Sequence, residues 1–211
     1  MVETNPEAPL RGADKPEDYR RCVAFHGHDC PGLALGYRAA RAALAALQEG
    51  RAGDEELVAI VETDACGVDA LQVLTGCTAG KGNLLWRDFG KHVFTLFHRE
   101  SGRGVRVALK AGAMEPNERH RQLMEKLGRG TATAEESGEF WKIHGQKALE
   151  VLQKPLETLF LVQPVTRELP PKAHMEPSRA CARCGEPTMG SKLVSCKGQE
   201  ICRDCLAAAE G

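Results

Sequence analysis

The sequence contains no apolar run near the roughly 18–20 residues that a membrane-spanning helix requires, which excludes an integral helical membrane protein. Its opening stretch, MVETNPEAPLRGADKPEDYR, has no apolar h-region, so no export signal and a cytoplasmic location are expected. Aromatic residues are scarce, at 5%, so the core has to be aliphatic and alanine-rich. Neither sign of charge is in excess: 28 Lys+Arg against 29 Asp+Glu leave a formal net charge of -1. A chain without a strong field is not expected to bind nucleic acid or acidic lipid through charge alone. No internal repeat is visible. The 42% hydrophobic and 27% charged content is that of an ordinary globular protein, and 211 residues suffice for one domain with a small appendage.

Cysteine is what the chain has in excess. Nine cysteines, an odd number, do not suit a disulfide scaffold in a chain without an export signal. Metal binding or thiol chemistry is the better reading.

Patterning gives the organisation. Residues 1–15 are polar and proline-containing and are expected to be poorly ordered. A core over 16–167 begins with helical pattern near Pro16. A stronger helix starts at Pro31, where proline suits the first helical position, and carries Leu33, Tyr37, Ala40, Leu44 and Leu47 on one face. Leu57–Glu62 reads as a buried strand and Gly67–Thr75 as a short helix. Residues 77–88 read as a glycine-rich loop. His92–His98 and Val105–Leu109 read as a hairpin about Ser101–Gly104. Helices follow near 117–127 and 133–153, the second opened by a Thr133/Glu136 capping box. Leu159–Val165 is the last strand, and Pro164 places it at a sheet edge. This mixture predicts an α+β fold, a mainly antiparallel sheet packed with helices. Residues 168–180, with three prolines, read as a linker.

The strongest chemical signal follows that linker, over 181–211. Cys181-x-x-Cys184 is separated by seventeen residues from Cys202-x-x-Cys205. Two such pairs give the four thiolates of a closed tetrahedral zinc site, and thiolate softness excludes calcium and magnesium. The segment has too few large apolar side chains for a core, so the metal has to supply folding energy. A knuckle at Cys181–Gly185, a hairpin about Lys197–Gly198 and a helix from Arg203 follow treble-clef order. Cys196 fits neither pair. Residues 172–211 carry six Lys/Arg and five Asp/Glu, a balance that argues against phosphate binding.

A second constellation lies near the N-terminus. Phe25-His26-Gly27-His28-Asp29-Cys30-Pro31-Gly32 packs two imidazoles and a thiol into a turn before a helix. Cys30 falls at the helix cap, where free amides favour a thiolate. Cys66, in Thr63-Asp64-Ala65-Cys66-Gly67-Val68-Asp69, lies where a strand gives way to a helix. His26, His28 and Cys66 make a candidate core metal set, with Cys30 as a further ligand or reactive thiol. Against this, the two histidines need not share an ion, and buried cysteines are often only small hydrophobes. Asp64 and Asp69 are either orienting partners of ligand histidines or helix caps. The third element, Gly76-Cys77-Thr78-Ala79-Gly80-Lys81-Gly82-Asn83, is one residue short of a P-loop and has Gly82 where magnesium would need a hydroxyl. It is either a cradle in which Lys81 and Asn83 hold a small anionic substrate, or a tight glycine turn. His92, His98, His120, His144 and His174 have no ligand-like company, and His144 reads as a packed or surface position.

FHGHDCPGLALGYRAA at 25–40, ETDACGVDALQVLTGCTAGKGNL at 62–84 and DFGKHVFTLFHR at 88–99 together resemble the FmdE family, which takes its name from a component of formylmethanofuran dehydrogenase. The resemblance covers most of residues 16–165, and the finger resembles an appendage that some members carry. It implies an α+β core, a homodimer, and a groove holding the cysteine and histidine motifs. It also implies an association with one-carbon metabolism around a molybdenum or tungsten enzyme, and hence a larger oxidoreductase partner. On matching positions it carries over His26, His28 and Cys66, with Cys30, Cys77 and Lys81. The expected cofactors are a structural zinc in the finger and a second metal, zinc among the candidates, in the core. Three roles follow: a metal- or thiol-dependent accessory protein, with Cys66, Cys30 and Lys81 as reactive groups and Cys77 and Asn83 lining the site; a non-catalytic delivery or docking protein acting through its finger; or, least favoured by charge, a nucleic-acid-binding regulator.

Overall fold

A computed structural model describes residues 15–166, 169, 171–172 and 175–210. Residues 1–14, four of the expected linker (168, 170, 173 and His174), 167 and 211 lie outside the described residues. The chain divides near residue 172 into two compact units.

The first unit runs α1 (Glu17–His26), α2 (Pro31–Leu47), β1 (Leu57–Val61), α3 (Gly67–Thr75), β2 (Leu84–Trp86), β3 (Val93–His98), β4 (Arg103–Leu109), α4 (Glu118–Gly128), α5 (Ala134–Gln153), α6 (Leu156–Leu159) and β5 (Phe160–Thr166). Its sheet has the order β2-β1-β3-β4-β5. All pairings are antiparallel except β1 with β2. The fold is α+β with a mainly antiparallel sheet, as its sequence patterning predicts.

Alternation along β1 serves two apolar clusters. Leu57, Ala59 and Val61 face the main core, which α1, α2, α3 and α5 complete. Val58 and Ile60 join Phe97 in a smaller cluster with Leu85, Val165 and Leu169. Strand β5 is an edge, and Pro164 sits in it opposite Val105.

Three details differ from expectation. The region expected to be a loop over 77–88 contains β2, because Asn83 docks it: the Ala59 amide donates to the Asn83 carbonyl at 2.8 Å, and the Asn83 side-chain amide donates to the Leu57 carbonyl at 3.0 Å. A single helical turn, α6, follows Pro155, so the last strand starts at Phe160. The end of the expected linker is a strand, β6 (Ser178–Ala180).

Helix α2 organises the first unit. Cys30 caps it, its sulfur accepting from the Leu33 amide at 3.3 Å, with Pro31 in the first turn. Arg38 reaches from α2 to the C-terminal end of α5 and donates to the carbonyls of Val151, Leu152 and Lys154, which have no partner within that helix. Asp18 of α1 accepts from the Tyr37 hydroxyl at 3.0 Å and from Arg41 at 2.8 Å. The tightest approach is to α3. A Cβ on Gly36 would stand 2.1 Å from the Gly67 carbonyl oxygen, and one on Gly67 would stand 3.1 Å from the Gly36 Cα. The two helices therefore cross backbone against backbone.

The second unit is built from β6, β7 (Pro187–Met189), a 3-10 turn (Gly190–Lys192), β8 (Val194–Cys196), β9 (Gln199–Ile201) and α7 (Arg203–Glu210). β6 pairs with β7 around the first cysteine pair. β8 and β9 form the hairpin about Lys197 and Gly198, both at positive φ.

The helix crossing yields a paired prediction. Gly36→Ala should destabilise the protein by about 2–4 kcal/mol in urea unfolding, because backbone overlap outweighs the ~1 kcal/mol gained in helix propensity. Gly145→Ala in α5, where an added Cβ meets nothing within 4 Å, should be neutral or stabilising by up to about 1 kcal/mol. A Gly36→Ala protein as stable as the parent would refute the close approach.

Candidate metal centres

Four donors meet at the top of the main core. His26 is the last residue of α1. Gly27 follows at φ 92°, a left-handed conformation that turns the chain back on itself. The ring of His28 thereby comes to 4.4 Å, centroid to centroid, from that of His26. The two rings meet because this segment is a helix end followed by a turn. Asp29 pins the turn by accepting from the Tyr19 hydroxyl and the Lys15 ammonium. Cys30 caps α2, and Cys66 arrives from the start of α3, drawn in by the glycine crossing. A Cβ on Gly32 would touch both thiols, at 3.7 Å from the Cys66 sulfur and 4.0 Å from the Cys30 sulfur. One ligand atom from each of His26, His28, Cys30 and Cys66 lies within 4.8 Å of every other.

The donor set fits a tetrahedral ion. Metal–sulfur and metal–nitrogen bonds of about 2.3 and 2.1 Å imply donor separations of roughly 3.4–3.8 Å. Nε2 of His26 stands 3.8 Å from the Cys30 sulfur. The other nitrogen of His26, Nδ1, lies 2.7 Å from an Asp69 carboxylate oxygen. A carboxylate there fixes the tautomer and leaves Nε2 free to ligate. Of the two readings of Asp69, the orienting one is realised, whereas Asp64 is exposed.

Burial opposes a charged sulfur in this site. The helix start was expected to favour a Cys30 thiolate. Burial is the larger effect and pushes the Cys30 thiol up to about 12, with the Leu33 amide pulling down and the neighbouring Cys66 pushing up. A cation held there would supply the charge that burial withholds from the Cys30 sulfur.

Cys77, Lys81 and Asn83 do not join this group. Cys77 is fully buried and its thiol is raised by burial. Asn83 is fully buried, accepting from the Thr78 amide at 2.9 Å as well as donating to Leu57. The Lys81 ammonium donates to the Asp54 carbonyl at 2.9 Å. Their polar groups brace the loop into β2.

Sequence reasoning missed the α5 side of the core cluster. Trp141 stands edge-on to His28 at 6.1 Å, and His144 stands edge-on to Trp141 at 5.7 Å. His144 is also stacked on Phe140 and lies beside His120. The available signal was the spacing of Phe140, Trp141 and His144, which puts them on neighbouring positions of one helix.

The second cluster is Cys181, Cys184, Cys202 and Cys205, again with all four ligand atoms within 4.8 Å of one another. The Cys184 and Cys202 sulfurs are 4.0 Å apart. Cys181 accepts from the amides of Cys202 at 3.2 Å and Arg183 at 3.4 Å, and Cys202 accepts from the Cys205 amide at 3.4 Å. Amides of Cys184 and Cys202 bring the Cys181 thiol down to about 6, whereas desolvation and the crowding of thiols drive Cys205 up to about 12. Knuckle amides supporting sulfur are the mark of a zinc-finger site. Cys196 packs beside the cluster without belonging to it.

Comparison with known proteins agrees with this architecture. A protein from Archaeoglobus fulgidus described as a probable S-adenosyl-L-methionine-binding protein is 32% identical over 202 residues, which cover 90% of this chain and 52% of that protein. The chain thus spans about half the length of that curated relative. The crystal structure of a tungsten formylmethanofuran dehydrogenase FmdE-like protein from Syntrophus aciditrophicus superposes with a TM-score of 0.61 at 26% identity, covering 92% of this chain and 94% of the other. The family model described as FmdE, molybdenum formylmethanofuran dehydrogenase operon, matches residues 25–161, which include the whole His26/His28/Cys30/Cys66 cluster, and the chain belongs to that family.

Proposed function

We propose that this chain is a metal-binding accessory protein with two zinc sites: a structural one in the finger and a functional one held by His26, His28, Cys30 and Cys66. The observation that carries this reading is the His26 ring, held by Asp69 on one nitrogen and facing the Cys30 sulfur with the other. Mixed imidazole and thiolate donors select zinc among abundant divalent ions.

The four core donors are not equally held. Asp69 fixes His26, the Leu33 amide and burial fix Cys30, and the glycine crossing fixes Cys66. His28 is exposed and has no hydrogen-bond partner for its ring among the described residues. The position it fills is therefore the exchangeable one, where a small molecule can take its place. The same looseness favours a second reading, in which the core site delivers metal. Exchange with a chelator in seconds favours delivery, and exchange over hours favours a resident metal.

The family's link to a formylmethanofuran dehydrogenase operon supports a place in one-carbon or redox metabolism beside a molybdenum or tungsten enzyme. A larger oxidoreductase is then the partner of the finger, and a homodimer is the expected assembly. Among the described residues no helix is long and apolar enough to cross a membrane, in keeping with work in the cytoplasm.

Elemental analysis of the full chain should give two metal equivalents. Cys66→Ser should drop this to one, with the finger still filled; a variant that keeps both equivalents would sink the core assignment. Asp69→Asn should weaken core metal binding about 10–100-fold in chelator competition while leaving the finger unchanged. Equal affinity in that variant would remove Asp69 from the site.

A further inference from the structure

Helix α5 brings to the core cluster a group that metal binding leaves unused. His28 and Asp29 are both close enough to act electrostatically on His144. Nδ1 of His144 lies 3.2 Å from Nε2 of His120, on α4. His120 is 4% exposed, and its remaining nitrogen, Nδ1, is buried without a hydrogen-bond partner.

These contacts fix where the protons sit. Of the two facing nitrogens, one carries a hydrogen and the other accepts it. Burial keeps both rings neutral near pH 7, and for His120 the charge of Lys147 acts in the same direction. If His144 donated, neutral His120 would carry its own hydrogen on Nδ1, a buried donor with nothing to receive it. Folded chains almost never leave such a donor. In the other arrangement only a lone pair is left without a partner. His120 therefore donates from Nε2, His144 accepts at Nδ1, and the one hydrogen on the His144 ring sits on Nε2. Nothing among the described residues accepts it, and His144 is only half-buried.

We propose that His144 is a hydrogen-bond donor of the core site, and that the ligand taken at the exchangeable position is a small carboxylate. A ring whose Nε2 carries hydrogen is a donor and not a fifth metal ligand, so it selects an oxygen acceptor. Trp141, 54% exposed between His28 and His144, offers an apolar face to the carbon end of such a ligand. His120 is a positioning residue that acts only through His144. The ligand half of this proposal rests on the core cluster being a metal site; the assignment of the hydrogens does not.

The first test is long-range proton–nitrogen NMR on the full chain with labelled histidine. Both His120 and His144 should show the Nε2–H form, and an Nδ1–H form of His144 overturns the donor. The second is acetate titration of the cobalt-loaded full chain, followed by the visible spectrum. His144→Phe should bind acetate about tenfold more weakly, and His144→Gln, which keeps a donor, should recover part of the loss. Acetate that fails to bind the parent chain, or binds His144→Phe as tightly, overturns the ligand assignment. Elemental analysis of the same samples separates the two readings: a core without metal faults the metal reading, and the NMR result decides His144 either way.

Discussion

The contact on which this structure depends is the crossing of two helices through glycines. Gly36 lies against Gly67, and Gly32 lies against the sulfurs of Cys30 and Cys66. The residues that let α2 and α3 touch are thus interleaved with the residues that carry the donors. Cys30 caps one helix and Cys66 precedes the other. Side chains between the helix backbones would move the thiols apart before they disturbed anything else. Small residues here are a requirement of the site as much as of the core, because a packed interior transmits such a displacement instead of absorbing it.

The two clusters solve one problem in different ways. Each crowds sulfur into a space that penalises charge. In the finger, backbone amides aimed at Cys181 and Cys202 do the compensating, which suits a site whose knuckles are the whole structure. In the core, one amide, that of Leu33, reaches the Cys30 sulfur, and side chains orient the rest: the Asp69 carboxylate holds His26, and Tyr19 and Lys15 hold Asp29. A site braced by side chains on three elements has a donor left over that nothing braces. His28 is that residue: it is exposed, and the proposed exchange of a ligand at the core rests on it.

Much of this was legible in the sequence, for identifiable reasons. Pro31 after Cys30, Gly76 after Thr75 and the Thr133/Glu136 capping box each mark a helix end by local chemistry that tertiary structure did not override. The paired C-x-x-C motifs encode their geometry within a few residues. Strand β2 was hidden because three residues carry no periodicity, and its pairing depends on the buried Asn83 side chain. Cys77, Lys81 and Asn83 looked like site residues because glycine-rich loops carry functional groups as often as they carry turns. What decides between those readings is where the polar atoms find partners, which composition does not record. His120 and His144 were invisible for the converse reason. They lie 24 residues apart, and only the packing of α4 on α5 makes them a pair.

Helix α5 links these observations. Its C-terminal carbonyls are held by Arg38 from the middle of α2. Its earlier turns carry Phe140, Trp141 and His144 beside the 26–30 turn. Buried Ala148, Val151 and Leu152 between these points fasten the helix to the main core. Helix α2 therefore sets both sides of the site. Its first turn presents Cys30, and its Arg38 fixes the register of the helix that forms the facing wall. A lone wall helix would be free to slide along its axis and carry Trp141 and His144 with it. Anchoring by three hydrogen bonds from one half-buried guanidinium removes that freedom, since a shift of one residue would strand carbonyls and charge together.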